Sequence, residues 1–161
     1  ARAGVTSAST ALLLGNGATA RSALYALAEM GVRSVLGLAR SEGRARSSLA
    51  ALADSLGVEL AYGPWGYVPD AEASDVLVST VSTPLAPDVA AGLARMVGAC
   101  FDATYNHYPT ELDRAARARG IVQLSGIDLL VGQALDQIRL MTGLWCPAEP
   151  LLDVAYGALG R

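Results

Sequence analysis

The sequence predicts an α/β fold in which helices cover both faces of a parallel sheet. Short apolar segments alternate with longer amphipathic segments along the chain, a pattern typical of βαβ units. Hydrophobic residues make up 52% of the 161 residues and aromatic residues only 6%, which suits small aliphatic side chains packed on a buried sheet. This length fits one domain. We therefore expect residues 1–161 to form one doubly wound domain.

Six short apolar runs are predicted as strands, and six amphipathic stretches bounded by glycine or proline as helices. The strands are Ala11–Leu14, Ser34–Leu38, Val58–Tyr62, Val76–Ser79, Cys100–Ala103 and Ile121–Leu124. The helices are Ala18–Met30, Ser47–Leu56, Pro87–Val97, Thr110–Arg119, Ile127–Thr142 and Pro147–Ala158. Right-handed crossovers would distribute the helices over both faces, and the last two are extra C-terminal helices. Gly63–Asp70, with two prolines and two glycines, is predicted as a surface loop.

Composition argues against several classes of protein. The net charge is −3 and no block of basic residues occurs, which disfavours nucleic-acid binding. No apolar run approaches the roughly 20 residues of a membrane span. Cys100 and Cys146 lack the neighbours of a metal or redox site, so we expect free thiols and no metal. With no signal peptide in the first ten residues, we predict a cytoplasmic protein, and the absence of Met at position 1 suggests that residues precede Ala1.

A glycine-rich segment joins the first predicted strand to the first predicted helix. It has the pattern G-x-G-x-x-A and consists of Gly15, Asn16, Gly17, Ala18, Thr19 and Ala20. In a Rossmann-type domain the first glycine permits a tight turn, the second lets a pyrophosphate approach the backbone, and the third small residue permits close helix packing. The free N–H groups of the helix then bind the anion. We predict a dinucleotide site; the alternative is a turn that only connects strand and helix.

The residues after the second predicted strand indicate which dinucleotide binds. An acidic residue there accepts the ribose hydroxyls of NAD, whereas arginine pairs with the 2′-phosphate of NADP. Here Ala39 is followed by Arg40, Ser41, Glu42 and, two residues later, Arg44. Both guanidinium groups can reach the phosphate, and Glu42 should point away from it. The sequence therefore predicts NADP; the alternative is that these arginines form a solvated, basic start to a helix.

Five motifs in order resemble the shikimate dehydrogenase family, over nearly the whole chain from about Ala11. After the glycine loop and Ala-Arg-Ser-x-x-Arg, which the family usually has as Asn-Arg-Thr-x-x-Arg, they are Asp75–Ser82, Phe101–Leu112 and Ser125–Ala134. The fourth is similar to Asp-x-x-Tyr-Asn-Pro-x-x-Thr-x-Leu and the fifth to Gly-x-x-Met-Leu-x-x-Gln-Ala. Ala39 and Ser79 stand where the family has Asn, and His107 where it has Pro.

The resemblance implies the C-terminal, NADP-binding domain of an enzyme that reduces 3-dehydroshikimate to shikimate by hydride transfer. Further cofactor contacts are expected from Thr80, Val81, Ser82, Ala103, Gly126 and Leu129. Tyr105 would direct its phenol toward the substrate carboxylate, and Gln133 would offer its amide to a substrate hydroxyl. Asp128 is unusual among apolar neighbours. It would either face solvent or change what is accepted beside the nicotinamide.

The family's catalytic lysine and aspartate lie on an N-terminal substrate domain. All twelve Lys and Arg residues of this chain are Arg, so the catalytic lysine is absent, and we expect this chain to have no catalytic residue and to be inactive alone. His107, the only histidine, is expected to be solvated. In the family the terminal helices return toward the substrate domain, so exposed apolar faces around Trp145 would favour a homodimer.

Two other interpretations remain open at this stage. One is the cofactor domain of a different NADP-linked enzyme, such as a quinate/shikimate dehydrogenase or a methylene-tetrahydrofolate or glutamyl-tRNA reductase type. These enzymes should share the glycine loop but lack Tyr105 and Gln133 in this arrangement. The other is a non-catalytic module that binds a dinucleotide to sense it or to act as a scaffold.

Overall fold

A computed structural model describes residues 4–67 and 74–159. The strands are β1 (Thr10–Leu14), β2 (Ser34–Ala39), β3 (Glu59–Pro64), β4 (Ser74–Ser79), β5 (Val97–Asp102) and β6 (Val122–Ser125). The helices are α1 (Ala18–Glu29), α2 (Glu42–Leu56), α3 (Pro87–Arg95), α4 (Glu111–Arg119), α5 (Gly126–Thr142) and α6 (Ala148–Gly157).

The six strands form one parallel sheet in the order β3-β2-β1-β4-β5-β6. The chain builds outward from β1 to β3, returns to the other side of β1, and continues outward to β6. At such a reversal of strand order, the loops that leave the two central strands diverge and open a crevice at the carboxyl ends. The predicted doubly wound α/β fold is confirmed, and its crevice lies between β1 and β4.

Alternating residues of the central strand β1 pack into two different cores. Ala11 and Leu13 join a buried cluster with residues of α1 and α2. Leu12 and Leu14 join a second cluster, which contains Leu93 of α3 and residues of α4. Because successive side chains of a strand point to opposite faces, helices cover both faces, and the nearly all-apolar strand is buried on both sides.

Helix α2 begins at Glu42, so its predicted start at Ser47 was wrong. Ser41 caps the helix by accepting a hydrogen bond from the backbone N–H of Arg44 at 3.4 Å, and Ala45 adds one more turn to the buried stripe of Leu49 and Ala53. The first helical turn therefore contains Arg44 and starts at the carboxyl edge of the sheet. This places a helix N-terminus close to the crevice.

Two other boundaries differ from the prediction. Strand β5 begins at Val97 because α3 already ends at Arg95. The predicted loop Gly63–Asp70 begins two residues too early, since Gly63 and Pro64 are the last residues of β3, and its residues 68–70 lie outside the described part of the chain. Proline is tolerated in β3 because this strand is at the edge of the sheet.

The end of α5 and the connection to α6 expose large apolar side chains. Leu140 is 85% exposed, Met141 84% and Trp145 80%, and the Arg139 guanidinium lies 4.6 Å from the centre of the Trp145 ring. The exposed apolar face expected around Trp145 is thus present. Within residues 4–67 and 74–159, no helix is long and apolar enough to cross a membrane.

Candidate functional site

Two adjoining cavities form a groove at the carboxyl ends of β1, β2 and β4. They have volumes of about 240 Å³ and about 180 Å³ and share Gly15, Asn16, Arg40, Trp65 and Val81. Residues that line only one of them are Ala39, Ser41 and Arg44 in the first cavity and Gly17, Thr80, Ser82 and Thr83 in the second. The groove therefore brings together most of the residues predicted to hold a dinucleotide.

Gly15 forms the tight turn after β1, and no other residue would fit there. Its φ is +104°, a conformation that L side chains rarely adopt, and a Cβ would overlap Oγ1 of Thr80. The backbone N–H of Gly15 donates to the Leu38 carbonyl at 3.1 Å. Thr80 donates to the Leu14 carbonyl through both its backbone N–H, at 2.9 Å, and its hydroxyl, at 2.8 Å. The turn is thus tied to both neighbouring strands.

Gly17 directly precedes α1 and leaves the N-terminus of this helix without a side-chain cap. It is the N-cap residue, no side chain caps the helix, and no acidic residue occurs in the first turn. A Cβ at Gly17 would meet nothing within 4 Å, so the fold itself does not require glycine here. The first N–H groups of a helix need partners, and an anion in the groove would supply them. Ala20 lies beneath, fully buried.

The groove also carries the guanidinium groups of Arg40 and Arg44. Within the described ranges, no hydrogen bond or ion pair involves the side chain of Arg40 or Arg44, although both are exposed and line the first cavity. Glu42 does not neutralise them, because its Oε1 pairs with Arg46 Nη2 at 2.9 Å on the exposed surface of α2. As predicted, Glu42 points away. The groove is therefore electropositive and suited to a phosphate.

A third cavity, of about 280 Å³, lies between the loops that follow β4 and β5. Its wall contains Asp102, whose Oδ2 accepts from the Thr110 hydroxyl at 2.9 Å and whose Oδ1 accepts from the Thr104 N–H at 3.1 Å. The Thr104 hydroxyl donates to the Val81 carbonyl at 2.8 Å and joins the two loops. His107 is exposed at its rim. The polar side chains of Asp102, Thr104 and Thr110 thus form hydrogen bonds within the protein.

Behind this cavity, Asp113 is a fully buried carboxyl group, with 0% exposure. It forms a capping box at the start of α4: its side chain accepts from the Thr110 N–H at 2.8 Å, and its own N–H donates to the Thr110 hydroxyl at 3.2 Å. The amide of Gln123 also donates to it. Burial raises the pKa of Asp113 despite these bonds. Burial also raises the pKa of the free thiol of Cys100 to about 12, which makes this cysteine unreactive.

The N-terminus of α5 has a second capping box, and its acid is Asp128. Oδ2 of Asp128 accepts from the Ser125 N–H at 2.9 Å and from the Tyr156 hydroxyl at 2.6 Å. Burial, followed by the bond to Asp128, raises the pKa of Tyr156 to about 12. Asp128 is half-buried, so the expectation that it faces solvent was wrong. The alternative, that it changes what is accepted beside the nicotinamide, stays a prediction. The carboxylate fastens α6 to the start of α5.

The remaining predicted contacts lie beyond the groove, on the loop after β5 and on α5. Gly126 approaches this loop so closely that a Cβ would overlap the Ala103 carbonyl. The fold itself therefore requires glycine at this position, whether or not a cofactor binds. Leu129 and Gln133, one and two turns further along α5, are exposed and follow Gly126 on one face. Tyr105 is 45% exposed. No hydrogen bond between Tyr105 and Gln133 occurs within the described ranges.

Trp65 and Thr83 line the groove but were not predicted to do so. Trp65 lay in a segment interpreted as a surface loop, and only the register of β3 against β2 brings it to the crevice. Thr83 comes directly after the predicted Val81 and Ser82 in the sequence. In the part of the chain that the structure describes, no group of three or more His, Cys, Asp or Glu side chains could hold a metal ion.

The fold and the groove define a class of protein: a Rossmann-type dinucleotide-binding domain, with a glycine turn and an open helix N-terminus at the switch point of a doubly wound sheet. By sequence and by fold, the chain matches the C-terminal half of shikimate dehydrogenases. No family model matches it.

Two curated relatives illustrate the correspondence. The shikimate dehydrogenase (NADP(+)) of Methanothermobacter thermautotrophicus is 32% identical over 160 residues, covering 95% of this chain and 55% of that protein. The enzyme of the same name from Aeropyrum pernix is 35% identical over 158 residues, covering 93% and 56%. The chain thus spans about half the length of the curated relatives it matches.

Solved structures of shikimate dehydrogenases are also similar to this chain. The crystal structure of Mycobacterium tuberculosis shikimate dehydrogenase superimposes with a TM-score of 0.77 at 34% identity, covering 97% of this chain and 60% of that one. A Thermus thermophilus shikimate 5-dehydrogenase in complex with NADP(H) and shikimate gives a TM-score of 0.68 at 26% identity, covering 92% and 54%.

Proposed function

We propose that this chain binds NADP in the groove and forms the cofactor-binding part of a shikimate dehydrogenase. The observation that carries the proposal is the pair Arg40 and Arg44, exposed beside the glycine turn and without partners in the described ranges. The names of the relatives, shikimate dehydrogenase (NADP(+)), support the same cofactor. So does a related structure that contains NADP(H).

The residues present fit the proposed cofactor. The open N-terminus of α1 would bind the pyrophosphate, and the empty space at Gly17 leaves its path to the backbone clear. Arg40 and Arg44 would pair with the 2′-phosphate from two sides, since both line one cavity. Val81 and Ser82 would contact the dinucleotide where it passes over β4. The exposed carboxylate of Glu42, which would repel the phosphate, pairs with Arg46 outside the groove instead.

NADP, when bound, accepts or supplies the hydride; the residues of this chain bind and orient the reactants. Ala103, Gly126 and Leu129 would surround the nicotinamide end. Tyr105 and Gln133 would contact shikimate or 3-dehydroshikimate through its carboxylate and hydroxyl groups. Proton transfer needs a positioned acid or base, and the lysine that serves the family is absent from these 161 residues.

We therefore expect this 161-residue chain alone to bind NADPH without turning over substrate. The assay follows the absorbance of NADPH with 3-dehydroshikimate in excess, at protein concentrations high enough to detect slow turnover. Protein-dependent consumption of NADPH that produces shikimate would refute this expectation and leave the binding proposal intact.

Arg40→Ala tests the proposed cofactor. Removing one charged partner of a phosphate costs about 1.5–3 kcal/mol, which corresponds to a roughly ten- to hundredfold increase in the Kd for NADPH. NADH lacks the 2′-phosphate, so Arg40→Ala should weaken NADH less than NADPH, and in the unaltered chain NADH should bind more weakly than NADPH. Both are measured by calorimetric titration.

Arg119→Ala is the control, because this arginine is exposed at the end of α4 and lines neither cavity of the groove. Its Kd for NADPH should equal that of the unaltered chain. Equal affinity for NADH and NADPH in the unaltered chain, or an Arg40→Ala variant that keeps full affinity, would overturn the proposal.

A further inference from the structure

Trp65 lies directly beside Arg40 at the carboxyl edge of the sheet. In the parallel pair β2–β3, Ala39 is in register with Pro64, and Arg40 and Trp65 directly follow these two strand ends. Neighbouring strands are about 4.8 Å apart. The two residues therefore leave the sheet side by side, and both line the two cavities of the groove.

A hydrogen-bonded turn holds Trp65 in this place. The backbone N–H of Tyr67 donates to the Pro64 carbonyl at 3.1 Å, and Gly66, the third residue of the turn, has a φ of +80°, the value that a type II turn requires there. The close packing of Tyr67 against Gly63, where a Cβ would lie 3.3 Å from the Tyr67 ring, folds the turn back onto β3. The position of Trp65 is thus set before any ligand binds.

The two side chains differ in chemistry but share a shape that suits an aromatic base. The guanidinium of Arg40 is planar and stacks on aromatic rings, and the half-buried indole of Trp65 offers a large apolar face. Between them and Arg44 lies the cavity of about 240 Å³. A ligand whose phosphate pairs with the arginines would place the base attached to the same ribose between these two planes.

We propose that Trp65 is a positioning residue for the adenine of the dinucleotide, forming one wall of a slot whose other wall is Arg40. This inference rests on the proposed function and adds to it the recognition of the base. Stacking of a base on an aromatic side chain makes Trp65→Ala bind adenine nucleotides about tenfold more weakly. The Trp65→Phe variant, which keeps a ring, retains most of the affinity.

Adenosine 2′,5′-bisphosphate is the probe, because it carries the adenine and the 2′-phosphate but no nicotinamide. Its Kd and that of NADPH are measured by calorimetry for the unaltered chain, Trp65→Ala and Trp65→Phe. Trp145→Ala, which removes the other tryptophan of the chain from an exposed position, is the control and should keep full affinity. Circular dichroism and the unfolding midpoint show whether each variant is folded.

A second measurement leaves residue 65 unaltered. In Trp145→Phe, Trp65 is the only tryptophan, and stacking against adenine should quench its fluorescence in proportion to bound adenosine 2′,5′-bisphosphate. If the probe binds the unaltered chain but neither the fluorescence nor the Kd of Trp65→Ala changes, the inference is wrong and the proposed function stands. If neither NADPH nor the probe binds the unaltered chain, both are wrong.

Discussion

Two regions at the carboxyl edge of the sheet differ in whether their polar groups have partners within the protein. Beside β1 and β2, the N-terminus of α1 has no side-chain cap, and Arg40 and Arg44 have no partner within the described residues. Beside β5 and β6, Asp113 and Asp128 each complete a capping box and accept further hydrogen bonds. The first end leaves its charges for a ligand, whereas the second uses them to hold the fold together.

This difference shows how to separate binding residues from structural ones in the same edge of a sheet. A buried polar group needs a partner from within the protein, and the acids beside β5 and β6 have several. An exposed charge beside a cavity costs little to leave unpaired. Substitutions at the β5–β6 end should therefore reduce the free energy of unfolding, whereas substitutions in the groove should chiefly reduce the affinity for NADPH.

The largest effect is expected for Asp113→Ala. This change removes the acceptor for the Thr110 N–H and for the Gln123 amide in a buried place, which should lower the free energy of unfolding by about 3 kcal/mol. Urea unfolding followed by circular dichroism measures this loss. The exposed Asp136→Ala on α5 is the control and should change it by less than about 0.5 kcal/mol.

The pH dependence of stability sharpens the same comparison. The pKa of Asp113 is raised in the folded protein, so its protonated form is favoured there, and its contribution is present at low pH and lost as pH rises through the folded pKa. Asp113→Asn should therefore show a flatter curve of unfolding free energy against pH in the acid range than the unaltered chain. Parallel curves would contradict the raised pKa.

The two glycines of the groove should separate stability from binding. Gly15→Ala forces a side chain into a positive φ and against Thr80, which should reduce the free energy of unfolding by roughly 2 kcal/mol and abolish NADPH binding. The methyl group added by Gly17→Ala would meet no protein atom within 4 Å. This change should lower the free energy of unfolding by less than about 1 kcal/mol, yet weaken the binding of NADPH. If Gly17→Ala binds NADPH as well as the unaltered chain, the pyrophosphate does not pass there.

The smallest effect is expected for Tyr156→Phe. The change removes the hydroxyl that bonds to Asp128 and Ser125 and should lower the free energy of unfolding by about 1 kcal/mol. Because the pKa of Tyr156 rises from 10.0 to about 12 on folding, its contribution is complete below pH 10 and lost toward pH 12. The difference between Tyr156→Phe and the unaltered chain should vanish over that interval, whereas the exposed Tyr25→Phe should differ little at any pH.

The sequence by itself determined the order of strands and helices, the glycine turn and the two arginines. These features are local: apolar runs and periodic stripes predict elements, and Gly15 is required by the backbone angles of its own turn. Helix α2 was predicted too short because Ser41 and the buried Ala45 are weak signals until their partners are known. The hydrogen bond between Asp128 and Tyr156 was not predicted because the two residues are far apart in the sequence.

Only the tertiary structure added Trp65 and Thr83 to the predicted residues of the groove. Trp65 comes beside Arg40 through the pairing of Ala39 with Pro64, and register between strands depends on the packing of the whole sheet. In the same way, Gly126 needs its small size because of the distant Ala103 carbonyl. A chain reveals the conformations of its segments, but contacts between distant segments arise only when burial of the two cores brings them together.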